Sequence, residues 1–124
     1  MFSYLLITGL IFLVIGARAI LRPVETVAIP NSLGASNVDA KNYLRAGTGG
    51  VTLACAAVML AGAFLTSLAY PALVLSVTVM GGLVFGRTVS WGLDGKPGMF
   101  LVMSGVGEAV GFVLGCYWLW RFGV

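Results

Sequence analysis

The 124-residue sequence predicts an all-α fold, a polytopic membrane protein built as a four-transmembrane-helix up-down-up-down bundle in a single domain over 1–124. Three observations predict it. Hydrophobic residues make up 60% of the chain and charged residues 9%, against roughly 25% charged in soluble domains. Mean hydropathy is +1.05, and eleven charged side chains, seven basic and four acidic, cannot clothe a soluble fold of this size. Finally, four long apolar segments each approach the ~20 residues that cross a bilayer's hydrocarbon core. They run without the strict alternation over about ten residues that a transmembrane strand needs.

The first segment, 2–21, is ended by Arg22-Pro23. No basic residue precedes it, and Arg18 and Arg22 fall at its far end, so it is expected to be a retained span rather than a cleaved signal peptide. The long connection 22–37 carries Pro23, Pro30 and Gly34, and long connections in compact domains are often functional. Ser36-Asn37-Val38-Asp39 fits a capping box that starts the second helix before the membrane, giving an expected helix over 38–68 with Asp39, Lys41 and Arg45 in its first stretch. Ala69-Tyr70-Pro71 reads as a tight turn, with Pro71 in the first turn of a third helix over 71–92. Asp94-Gly95-Lys96-Pro97-Gly98 is a strong turn signal, and the fourth helix is expected over 98–121. Tyr117, Trp118 and Trp120, followed by Arg121, read as an aromatic belt and anchor.

Up-down threading places both termini at one end and the 22–37 and 94–97 connections at the other. Arg18, Arg22, Lys41, Arg45, Arg87 and Lys96 fall toward the connection end, and Arg121 alone toward the termini. The positive-inside rule then makes the connections cytoplasmic and both termini external.

Several chemistries lose their residues. There is no histidine, which removes His-ligated haem, His-bound zinc and His general bases. Two cysteines are too few for a disulfide framework, and Cys55 and Cys116 sit at different depths. A net charge of +3 is no nucleic-acid footprint. No metal set and no cofactor motif is present in the sequence, and no catalytic residues are assigned.

The informative residues are the charges inside the spans, because a charge at mid-bilayer costs about 2.5–3.5 kcal/mol even on lenient scales and so turns inward to a partner. Glu108 lies ten residues beyond Gly98, hence about 15 Å deep, and Arg87 seven residues before Asp94, hence about 10 Å deep from the same end. The two helices are antiparallel neighbours, so a buried Arg87–Glu108 ion pair is expected. Arg45 either snorkels to the headgroups or turns inward as a second donor to Glu108. Helical spacing groups Arg45, Arg87, Ser90, Asp94, Ser104 and Glu108 into a polar cluster opening toward the connections, either structural or ligand-binding. Gly107, Gly111 and Gly115 on the fourth helix, and Gly82 and Gly86 on the third, form small-residue faces for close helix packing, within the bundle or against another protein.

Two stretches carry a resemblance. Asn42-Tyr43-Leu44-Arg45-Ala46-Gly47-Thr48-Gly49-Gly50 resembles an N-x-L-R-A-x-Y-G-G run. Gly86-Arg87-Thr88-Val89-Ser90, Asp94-Gly95-Lys96-Pro97 and then Glu108 resemble a G-R-x-x-S…D-G-x-P…E pattern. Both belong to a group of small bacterial four-helix membrane proteins catalogued only as a domain of unknown function. The chain departs from the first pattern at Thr48, where an aromatic ring is expected. The resemblance implies a bacterial inner-membrane protein, supports grouping Arg45, Arg87, Asp94 and Glu108, and supplies no reaction.

The expected function is therefore that of a non-catalytic accessory or scaffold subunit, or a binder of a lipid or other apolar ligand at a polar intramembrane site. Its expected partners are the bilayer, copies of itself or a larger membrane complex. An oligomeric transporter or channel protomer using Glu108 is the alternative, and a membrane enzyme using Glu108 or Asp94 as acid–base group is a third reading.

Overall fold

The computed structural model describes residues 1–34 and 36–123. Four helices long and apolar enough to cross a membrane make up most of it: α1 (Phe2–Leu21), α2 (Val38–Phe64), α3 (Thr66–Asp94) and α4 (Met99–Gly123). The described residues contain no strand. The sequence argument for a multi-pass helical membrane protein holds.

The tightest contact joins α1 to α2. Buried Leu5, Gly9, Phe12, Gly16 and Ala19 recur at alternating steps of four and three, the spacing of one helix face. That face meets α2 with residue numbers falling along one helix as they rise along the other. A Cβ added at Gly9 would meet Leu60, one at Gly16 would meet Leu53, and one at Gly49 would meet Ile20, all within 3 Å. Each helix supplies glycine where the other supplies a large aliphatic side chain. Such close approach is how helices gain dispersion energy in lipid, where apolar burial alone drives nothing.

α2 is not uniform. Val38–Tyr43 is α-helical, Leu44–Gly50 is a π segment, and Val51–Phe64 is α-helical again. Three glycines in that seven-residue π segment weaken its helical preference. Asn37, rather than Ser36, caps the helix, its Oδ1 accepting from the Ala40 amide at 2.8 Å. The cap therefore stands one residue later than the capping-box reading, since Asn serves the position as well as Ser.

The α2–α3 turn also differs from expectation. α2 stops at Phe64, Leu65 alone is extended, and α3 starts at Thr66, so Pro71 lies inside α3 rather than opening it. The small residues at this corner explain the earlier turn: Gly62 faces the Cβ of Ala72 and the carbonyl of Leu68 so closely that no side chain fits between them. α3 ends at Asp94, where Gly95 takes a φ of 93° and its amide donates to the Trp91 carbonyl. That left-handed conformation is one that glycine adopts without strain.

α1 has 20 residues and α3 has 29, lengths of about 30 and 44 Å. The step left above α1 is roofed by the connection, whose π turn Val24–Ala28 sets Val27 and Ala28 against Ala19 and Leu44. Two further core clusters lie below it: Phe12, Cys55, Ala56, Met59 and Met80, then Tyr4, Leu5, Ala72 and Leu73.

A candidate ligand groove beside an intramembrane ion pair

α4 leans mainly on α3. Its close-packing residues include Gly111, against Met80, Gly115, against Val77 and the Tyr4 hydroxyl, and Phe112, against Gly81. Gly82, Gly86 and Gly107 meet nothing within 4 Å, so these three make no helix contact inside the chain. The first and fourth helices touch chiefly through Tyr4, whose hydroxyl lies 2.8 Å from Ser76 Oγ on α3 and donates to the Gly111 carbonyl on α4 at 3.0 Å. Away from this bridge, α1 and α4 stand apart and enclose a groove of about 1460 Å³.

The groove changes character along its length. Ile7, Ile11, Val14, Val110 and Leu114 line an apolar stretch from α1 and α4. Toward the connections, Arg18, Glu25 and Asn31 from the end of α1 and the connection, Thr48 and Thr52 from α2, and Arg87, Ser104 and Glu108 from α3 and α4 add polar groups among apolar neighbours such as Leu83, Phe100 and Leu101.

Arg87 and Glu108 form the ion pair expected from their depths. Arg87 Nη2 donates to Glu108 Oε1 at 2.7 Å, and Arg87 Nε donates to Glu108 Oε2, a bidentate arrangement. The expectation that the pair is buried is corrected. Its side chains are 33% and 16% exposed, because α1 does not close against α4 at this level and the groove leaves one side of the pair uncovered. It is the only salt bridge among the described residues.

The rest of the expected polar cluster divides. Ser104 lines the groove near the pair, its hydroxyl donating to the Phe100 carbonyl at 3.0 Å. Ser90 Oγ donates to Asp94 Oδ2 at 3.1 Å along one exposed face of α3, outside the groove. Arg45 does not reach Glu108: it stays exposed, and its Nε donates to the Ile20 carbonyl at 2.9 Å. Thr26 Oγ1 donates to the carbonyls of Arg18 and Arg22 at 3.0 and 2.6 Å. Arg45 thus occupies the Ile20 carbonyl at the end of α1, where a cation also suits the helix dipole, while the Thr26 hydroxyl shares the Arg18 and Arg22 carbonyls with the backbone amides of Arg22 and Thr26.

Sequence reasoning missed Tyr4 and Glu25 as site residues and singled out Arg18 as a charge near a span end without placing it in the polar cluster. Glu25 carried a signal, lying in the long connection. Tyr4 had none, since an aromatic near a terminus is ordinary in a membrane helix. Every buried side-chain nitrogen or oxygen among the described residues has a hydrogen-bond partner, so the polar atoms of the core are satisfied.

A family model described as Domain of unknown function (DUF4345) matches residues 3–119. No curated protein and no solved structure matches the chain.

Proposed function

The chain belongs to the DUF4345 family, and from that premise, which brings a class without an activity, we propose that it is a non-catalytic membrane protein that holds a lipid or similar apolar ligand in the groove between α1 and α4. The groove itself carries this reading: an apolar trough with a polar wall at Arg87, Ser104 and Glu108 suits a molecule that is mostly hydrocarbon with a few polar atoms. Both carboxylate oxygens of Glu108 accept from Arg87, which favours a fixed binding wall over a carboxylate that loads and releases a proton in transport. Only two of the five guanidinium N–H groups of Arg87 are used in the pair, which leaves donors for a ligand carbonyl. The protein serves in the bacterial inner membrane, alone or as an accessory subunit of a larger complex. Its helices thread up-down-up-down with the connections cytoplasmic and both termini external, supported by the six basic residues toward that end.

Gly107 offers the direct test. It lines the groove, and a Cβ added there meets nothing within 4 Å. Native mass spectrometry of the protein purified in mild detergent should show a retained lipid-sized mass, which Gly107→Trp should remove without changing helix content or thermal stability. A wild-type protein free of any adduct would sink the reading.

A further inference from the structure

A second, smaller cavity of about 320 Å³ adjoins the polar end of the groove. It is lined by Arg18, Leu21, Arg22, Glu25 and Thr26, and it shares Arg18, Glu25 and Thr26 with the groove. The two spaces together have the form of an amphiphile: a long apolar compartment and a small charged one. The small cavity holds two guanidinium groups and one carboxylate. None of the three is in a salt bridge within the protein, since the pair formed among the described residues is Arg87–Glu108. The Thr26 hydroxyl is already engaged with backbone carbonyls, so the charged groups alone are left to recognise a ligand.

Two neighbouring arginines suit the non-bridging oxygens of a phosphodiester, the anion guanidinium forks match best. An unpaired carboxylate beside them calls for a donor of positive charge. It also disfavours a second anionic group on the same head, because like charges this close repel. Arg87, deeper in the groove with donors to spare, stands where the ester carbonyls of such a molecule pass. Resting on the groove-binding reading above, we propose that the ligand is a phospholipid with a primary ammonium in its head, phosphate on Arg18 and Arg22, ammonium on Glu25, acyl chains along α1 and α4.

The test is competition among defined lipids. Wild-type protein, delipidated and returned to nanodiscs of phosphatidylethanolamine mixed equally with phosphatidylcholine or with phosphatidylglycerol, is re-extracted and its bound lipid identified by native mass spectrometry. Phosphatidylethanolamine should exceed phosphatidylcholine, which has the same net charge but no N–H, by about tenfold, the worth of one charge-assisted hydrogen bond. It should also exceed phosphatidylglycerol. Glu25→Gln should bring the ethanolamine and choline lipids level while lipid is still retained. Arg18→Gln combined with Arg22→Gln should weaken retention of all three. Equal retention of ethanolamine and choline lipids by the wild type, or a preference for phosphatidylglycerol, overturns the head-group assignment and leaves groove binding standing. A lipid-free protein, or a lipid-free dimer with the groove filled by a second copy, overturns both. All the substituted side chains are exposed, so folding is checked by unchanged helix content.

Discussion

Arg87 and Glu108 are held by geometry that leaves little freedom: two parallel N–H···O contacts fix the planes of both groups. Removing one partner leaves the other charged or polar in a mostly apolar setting, whereas removing both removes the conflict. Arg87→Gln and Glu108→Gln should therefore each destabilise the protein by about 1–2 kcal/mol in detergent unfolding, the upper range for polar pairs between membrane helices. The double variant should recover part of that loss, and strictly additive losses would argue against direct coupling. The pairing was legible because helix rise is constant: counting from a reliable turn at 94–98 gives depth, and antiparallel neighbours convert depth into contact. Its exposure was not legible, since that depends on how far α1 stands from α4, and no residue count contains a gap. Arg45 shows the complementary limit. Its partner is a backbone carbonyl 25 residues away, and a carbonyl has no sequence signature.

Among elements, the α1–α2 seam and the end of α1 set the architecture. Gly9, Gly16 and Gly49 each lie where a side chain would overlap Leu60, Leu53 or Ile20. Gly16→Leu should lower stability by about 2–3 kcal/mol through overpacking, whereas Gly82→Leu, in open space, should leave it unchanged; equal loss at both sites in a detergent titration would contradict this packing. Arg45→Met keeps the apolar stem and removes the donor to Ile20. Amide exchange at residues 18–24 should then accelerate several-fold, an effect confined to the end of α1. The existence of all four helices was written in their apolar runs. The α2–α3 turn was not, because the residue that breaks the helix is Leu65, apolar like its neighbours, while Pro71 advertised a boundary that packing had already placed six residues earlier. The seven-residue step from Gly9 to Gly16 drew no notice in the sequence, because the denser glycine runs of α3 and α4 look stronger there; yet Gly82 and Gly86 face open space and Gly107 lines the groove.

For the whole molecule, charge asymmetry and the groove make a joint expectation. If the connections are cytoplasmic, the charged cavity at Arg18, Arg22 and Glu25 faces the inner leaflet. Lys96→Cys in a chain carrying Cys55→Ala and Cys116→Ala should resist an impermeant thiol reagent applied to intact cells and react after the membrane is opened. Labelling of intact cells would reverse the orientation, and with it the leaflet from which the groove is filled.

The Tyr4 bridge bears on traffic rather than on affinity. Because one hydroxyl ties α1 to α3 and α4 at one level and the first and fourth helices otherwise stand apart, the lipid we propose for the groove would enter sideways from the surrounding leaflet without passing through water. Its exchange rate would follow diffusion in the plane of the membrane, and its occupancy would follow the mole fraction of lipids in that leaflet. On the proposed reading, such a protein would register the composition of its own solvent.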